Sequence, residues 1–307
     1  MPEATRILPF SNEAIEEAAR LIGEGFPIAV ATETVYGLAA DATNPEAVAR
    51  IYEAKGRPSF NPLIVHVPDL AAAERIGAFS DEARALAERY WPGPLTLVVP
   101  LRTHADVASL VTAGLSTIAL RVPAHPAMQA LLRRAGHPLA APSANASGRV
   151  SPTRAEHVLQ SLEGRIPLIV DAGRTERGLE STIVAVTDGR IRLLRRGPIE
   201  IAGAIEADTS EIEAPGQLAS HYAPSKSLRL NASEAADDEF LIGFGDIGGD
   251  ANLSPAGDLV EAAAHLFDFL HLADASRKPR IAVAPVPDQG VGAAINDRLR
   301  RAAAPRG

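Results

Sequence analysis

Thr182-Ile183-Val184-Ala185-Val186-Thr187-Asp188-Gly189-Arg190-Ile191-Arg192-Leu193-Leu194 is the stretch that decides the fold class. Two runs rich in β-branched and aliphatic residues, 182–186 and 190–194, flank Asp188-Gly189. An Asp-Gly pair tolerates the positive φ angles of a two-residue hairpin turn, and a hairpin is antiparallel. Upstream, short apolar runs alternate with capped helices, which is the pattern of βα units. The two signals together predict an α/β fold on a mixed sheet rather than a purely parallel one.

Working outward, residues 11–23 read as a helix with Ser11 as N-cap, and 28–35 as a strand that ends in polar residues and Gly37. Asn44-Pro45-Glu46 opens a second helix: Asn caps it, Pro suits the first turn, and Glu complements the dipole. That helix runs to Lys55, where Gly56 and Pro58 stop it. Residues 62–67, 95–101, 117–122 and 168–171 read as strands; helices start at Ser80 and at Pro126. Ser151-Pro152-Thr153, with Glu156 three residues on, has the form of a capping box. The character changes at 205–226. Glu206, Asp208, Glu211 and Glu213 precede Pro215-Gly216 and His221-Tyr222-Ala223-Pro224, as in a linker. Strands at 239–245 and 280–286 and helices at 258–273 and 291–304 then form a smaller α/β unit. The expected division is 1–204, a linker at 205–226, and 227–307.

The 307 residues are 46% hydrophobic and 22% charged, ample for a core. There is no cysteine, which excludes disulfides, thiolate zinc sites and a cysteine nucleophile, and fits a reducing compartment. No apolar run reaches membrane-spanning length, and the first residues lack the basic-then-apolar pattern of a signal peptide, so a cytosolic protein is expected. The net charge of −8 is uneven: residues 1–200 carry 22 acidic and 21 basic side chains, and 201–307 carry 16 and 9. A protein that coats nucleic acid is basic, so any RNA contact here is expected to be local. No two histidines have metalloprotease spacing, and His265 and His271 read as structural.

Five features could carry chemistry. Lys55 is one of three lysines in an arginine-rich chain, and Lys55-Gly56-Arg57 would set a point charge and a forked clamp at a helix end, a combination suited to polyphosphate. Helix-dipole compensation explains the same cations equally well. Thr32-Glu33-Thr34 ends a strand, where α/β sheets gather ligands, although a threonine-rich strand needs no ligand. Ser143-Ala144-Asn145, followed by Ser147, Gly148 and Ser151, can form a backbone anion nest or a plain loop; it is no Walker A loop. Gly178-Leu179-Glu180-Ser181-Thr182 lies across the hairpin from Arg195-Arg196, two arginines that read as a solvated edge or as a pair facing a nucleotide. Arg121 sits inside an apolar strand and needs a partner, either a ligand carboxylate or an internal Asp or Glu.

In order and spacing these segments resemble the Sua5/YrdC/YciO family, over roughly 30–200, and the two-domain Sua5 form in particular. His221-Tyr222-Ala223-Pro224 resembles the Sua5 linker, and Gly292-Ala293-Ala294-Ile295-Asn296-Asp297-Arg298-Leu299 resembles the last helix of its C-terminal domain. The resemblance implies a twisted open α/β sheet with a concave, positively charged cavity and a smaller Rossmann-like domain. It implies synthesis of L-threonylcarbamoyladenylate from L-threonine, bicarbonate or CO₂, and ATP with its Mg²⁺, with release of pyrophosphate. The product would pass to the machinery that modifies adenosine 37 of tRNAs reading codons that begin with A. Carried over by motif, threonine falls to Thr34, His66, Arg121, Ala141 and Ser181. ATP falls to Arg57, Asn61, Thr117, Ser143, Ser151, Arg195 and Tyr222. Lys55, Arg57, Ser143 and Asn145 match the family's basic-plus-polar tetrad. Ala31 stands where the family has Pro, and Gln217 where the linker has Met. Two rivals share a basic concave surface or the fold. A non-catalytic RNA-binding or ribosome-associated module is disfavoured by the acidic charge. The carbamoyl-transfer domain of a hydrogenase-maturation protein is disfavoured because that protein brings zinc-binding cysteines and an acylphosphatase domain.

Overall fold

The computed structural model describes residues 4–58, 61–207, 213–215 and 222–305. The expectations placed on Ser59, Asp208, Glu211, Gly216, Gln217 and His221 lie outside the described residues. In chain order the elements are β1 (Arg6–Pro9), α1 (Asn12–Gly23), β2 (Ile28–Ala31), β3 (Tyr36–Asp41), α2 (Pro45–Lys55), β4 (Ile64–His66), α3 (Leu70–Ile76), α4 (Asp81–Tyr90), β5 (Leu95–Pro100), α5 (Ser109–Thr112), β6 (Thr117–Arg121), α6 (Pro126–Ala135), β7 (Leu139–Ala140), α7 (Ala155–Leu162), β8 (Leu168–Asp171), β9 (Thr182–Thr187), β10 (Arg190–Arg195) and β11 (Ile205–Glu206). The smaller unit adds β12 (Ser227–Arg229), β13 (Glu239–Gly243), β14 (Ala251–Asn252), α8 (Leu259–Ala275), β15 (Arg280–Val283) and α9 (Val291–Ala303).

The first sheet runs β1-β8-β2-β3-β7-β4-β6-β5-β9-β10-β11 and is mixed. β9 and β10 form the expected antiparallel hairpin, and Asp188 and Gly189 both take positive φ, 54° and 68°. That is the geometry for which an Asp-Gly pair is suited. The caps follow the sequence too. Asn44 accepts from the backbone N–H groups of Glu46 and Ala47, and Gly56 closes α2 in the left-handed conformation. The second sheet, β12-β15-β13-β14, is wholly parallel, as a Rossmann-like unit requires.

Two local expectations are corrected. The run at 28–35 is not one strand. β2 ends at Ala31, and Thr32 turns the chain by accepting the N–H groups of Thr34 and Val35 on its hydroxyl oxygen, so that β3 returns antiparallel. This competition of a Thr side chain with the sheet ladder puts Glu33 and Thr34 in a turn at the sheet's end. Ser151-Pro152-Thr153 does not start a helix either. α7 begins at Ala155 without a side-chain cap, because the Thr153 N–H donates to His157 and the Ser151 hydroxyl donates to Glu180.

The two units share apolar contacts. Val35, Val150, Leu179 and Tyr222 pack into the cluster built from Leu266, Phe267, Leu270 and Ile295 of α8 and α9. Polar ties flank it: Arg154 grips Asp268 with two bonds of 2.7 and 3.0 Å, and His157 stacks on His271 at 3.8 Å. Closest of all is Gly178, at φ +66°, where an added Cβ would lie 2.5 Å from the carbonyl oxygens of Ala263 and Ala264. Gly178→Ala therefore forces α8 away and places a side chain in left-handed backbone. We expect a loss of about 3 kcal/mol, whereas Gly248→Ala, with open space around it, stays within about 0.5 kcal/mol. Equilibrium urea unfolding of the two variants checks the difference.

Candidate functional site

A cavity of about 40 Å³ opens where the strand ends of the first sheet converge, and residues from eight separate segments line it. The Thr32 turn brings Thr34, the chain after α2 brings Arg57, and the C-terminal end of β6 brings Arg121. Ala141 and Ser143 follow β7, Glu180 and Ser181 precede β9, and Arg195 ends β10. Pro215 and Tyr222 of the linker complete the wall. Convergence at strand ends is the usual origin of ligand sites in α/β sheets.

The charges around this cavity are unequal. Arg121 is buried and pairs with Glu33 at 2.7 Å, and it also donates to Thr34 Oγ1 at 3.0 Å and to the Gly93 carbonyl. The internal carboxylate, not a ligand, is thus its resident partner. Burial disfavours the Glu33 charge, but Arg121 and the Ala124 N–H outweigh burial and hold the carboxyl below its ordinary range. Glu180 pairs likewise with the fully buried Arg298 of α9 at 2.9 Å. Arg57 and Arg195 have no such partner. Arg57 donates to the carbonyls of Asn61 and Pro62, and Arg195 to the Ser181 carbonyl, the Ser181 hydroxyl and the Pro215 carbonyl. Neither makes an ion pair among the described residues. Burial lowers the Arg57 pKa to about 10 and pushes Arg195 down as well, yet both remain cationic at neutral pH. Two buried guanidinium groups held by oxygens alone form an anion receptor.

Lys55 differs from the exposed helix-end cation that its sequence position implies. It is 2% exposed and is not part of the lining. Its ammonium points inward, onto the carbonyls of Ser143 (2.6 Å) and Asn145. Its own carbonyl accepts from Ser147 N–H, so α2 and the 143–149 loop are laced together. Burial, helped by Arg57, drives its pKa well below the usual lysine value. The residues singled out from the sequence therefore fall into groups. Thr34, Arg57, Arg121, Ala141, Ser143, Ser181, Arg195 and Tyr222 share the lining. His66 is buried directly beside Arg121 in the β4–β6 register, with Nδ1 unpartnered. Asn61 and Asn145 are buried behind the lining and each leaves its Oδ1 unpartnered, and Ser151 is bound to Glu180. Thr117 lies at the other end of β6 from Arg121.

The sequence reading missed the roles of Glu33, Glu180 and Arg298. Arg298 carried a signal of the kind that flagged Arg121. It lies on the buried stripe of α9 with Ala294, Ile295, Leu299 and Ala302, where a charge needs a partner.

Buried cations at converging strand ends, with Pro215 and Tyr222 in the wall beside them, mark the candidate site of an α/β protein. Comparisons narrow this. Residues 20–197 match the Sua5/YciO/YrdC family model, described as telomere recombination, and residues 181–304 match the model for the threonylcarbamoyl-AMP synthase C-terminal domain. The chain belongs to the Sua5/YciO/YrdC family, in its two-domain form. It is similar to the threonylcarbamoyl-AMP synthase of Bacillus subtilis, 40% identical over 99% of this chain and 97% of the relative. It is also similar to that of Pyrococcus abyssi, 38% identical over 95% and 96%. The crystal structure of P. abyssi Sua5 complexed with L-threonine superposes with a TM-score of 0.89 at 35% identity, covering 97% of this chain and 98% of that one.

The buried histidines set a pH response. Burial lowers His66 to about 3, with Arg121 adding to it, and lowers His157 to about 3, with His271 adding to it. The unfolded chain takes up these protons near pH 6.5 and the folded chain does not. Stability is therefore full above pH 6.5 and is lost as pH falls from 6.5 towards 3. Between pH 7 and 5.5 these histidines remove on the order of a few kcal/mol. Urea midpoints across that range measure it; His66→Gln should reduce the slope, and a flat profile contradicts the assignment.

Proposed function

We propose that this chain makes L-threonylcarbamoyladenylate from L-threonine, bicarbonate or CO₂, and ATP. The observation that carries this reading is the pair of buried, carboxylate-free guanidinium groups, Arg57 and Arg195, in a family whose relatives are named for this synthesis. The threonine amine takes up CO₂ to give a carbamate. A carbamate oxygen attacks the α-phosphorus of ATP, the bond to the β-phosphate bridging oxygen breaks, and pyrophosphate leaves. No covalent bond to the protein is needed. Catalysis consists of positioning and charge stabilisation.

Arg57 and Arg195 bind the phosphates. Arg121, held by Glu33, meets the threonine carboxylate with Thr34 beside it, and His66 stands behind as a neutral imidazole. Lys55 acts through the loop: by fixing the carbonyls of Ser143 and Asn145 it sets where the Ser143 side chain meets the nucleotide. Mg²⁺ enters with ATP. The described residues contain no group of three or more metal-binding side chains, and the two carboxylates at the cavity are already engaged by arginines. Held by the phosphate oxygens of ATP, the ion would supply charge neutralisation there.

The cavity has space for only a few waters, far less than either substrate needs. The linker is the wall that moves. Ala223 N–H docks on the Gly148 carbonyl, and Tyr222 and Pro215 close the cavity, so residues 205–226 act as a lid between a catalytic unit at 1–204 and a supporting unit at 227–307. No described helix is long and apolar enough to cross a membrane. The product goes to the tRNA threonylcarbamoyl transfer machinery in the cytosol.

Pyrophosphate release tests the reaction. It should appear only when ATP, L-threonine and bicarbonate are all present, and omission of any one should return it to background. Release without threonine, or none with the full set, contradicts the proposal.

A further inference from the structure

The C-terminal unit supplies one side chain to the back of the cavity. Arg298 is fully buried on α9 and does not line the cavity, but it holds three of the walls that do. Its Nε donates to Glu180 at 2.9 Å, its Nη2 to the carbonyl of Arg196, next to Arg195, at 2.9 Å, and its Nη1 to Asp297, which Arg301 also holds, at 2.7 Å. Its guanidinium carbon lies 4.9 Å from the Tyr222 ring centroid, within cation–π distance. Tyr222 stands at φ +62°, a conformation costly for a tyrosine, and its ring packs on the Arg298 guanidinium and on Phe267, whose ring centroid lies 5.7 Å away.

The electrostatics point the same way. Glu180 is a carboxylate in the wall of an anion site, where it would repel phosphate. Its two oxygens are engaged, one by Arg298 and the other by the Ser151 hydroxyl. Without Arg298, the negative charge of Glu180 would be set against the positive field of Arg57 and Arg195 at short range and low dielectric.

We propose that Arg298 is a positioning residue for nucleotide binding, supplied across the domain boundary: it neutralises Glu180 and seats Tyr222, and so makes the phosphate subsite net cationic. The inference rests on the reading that ATP is the ligand of this cavity. It also gives the C-terminal unit a part in catalysis beyond support, since the site is electrostatically incomplete without α9.

The test is calorimetric titration of the full chain with ATP, and separately with L-threonine, for wild type, Arg298→Met and the Glu180→Gln/Arg298→Met double variant. In Arg298→Met the ATP Kd should rise about tenfold or more, with the threonine Kd changed by less than about threefold. The double variant removes both charges and should recover most of the lost ATP affinity, short of the part that comes from seating Tyr222. A purely structural role would weaken both ligands together and would not be rescued by Glu180→Gln. Unchanged ATP binding in Arg298→Met, or a double variant as weak as the single, overturns the inference. Should Arg298→Met fail to fold, the double variant decides alone: near wild-type ATP binding supports the inference, and weak binding overturns it. A wild-type chain that binds no ATP overturns the functional reading and this inference with it, whereas ATP binding that ignores Arg298 overturns only this inference.

Discussion

Two guanidinium groups, Arg57 and Arg195, lie inside this protein with oxygens of the carbonyl and hydroxyl type around them and no carboxylate at ion-pair distance among the described residues. That arrangement costs stability, because a buried charge is tolerated only when something compensates it. The other two arginines at the site show how readily this chain can compensate one. Arg121 has Glu33, and Arg298 has Glu180. Leaving Arg57 and Arg195 without a carboxylate keeps a net positive field at the cavity. The rest of the structure serves that imbalance. The Thr32 turn, the Lys55-laced loop and the β9–β10 hairpin all deliver their groups to one end of one sheet.

The fold was legible wherever a local signal had a single outcome. Asp188-Gly189 can turn a hairpin cheaply, and Asn44-Pro45 opens a helix that Gly56 must close. The Thr32 turn was not legible, because a hydroxyl that accepts two backbone N–H groups interrupts a run that otherwise reads as one β-strand. Nor was the fate of Ser151-Pro152-Thr153, where local capping lost to partners distant in sequence, Glu180 and His157.

For the site, residue type was legible and connection was not. Arg121 declared itself as a charge in an apolar strand, but that Glu33 answers it depends on a turn that only the fold creates. Lys55 looked like a free cation because sequence shows a helix end and not which way the end faces; the loop that buries it is almost ninety residues away. Arg298 obeys the same logic as Arg121 on a helix, and its partners lie in another domain. Resemblance brought the right segments together, and geometry then separated the groups that face the cavity from those that hold them in place.

The central claim is that Arg57 and Arg195 are kept charged and unpaired in order to bind phosphate. Titration of a non-hydrolysable ATP analogue into wild type and the Arg57→Met/Arg195→Met double variant, with thermal melts of both ligand-free proteins, tests it most directly. The account predicts analogue affinity at least about a hundredfold lower in the variant, with a melting temperature no lower than wild type because two desolvated charges have been removed. A variant that keeps its nucleotide affinity, or that loses affinity only because it melts below wild type, would contradict it.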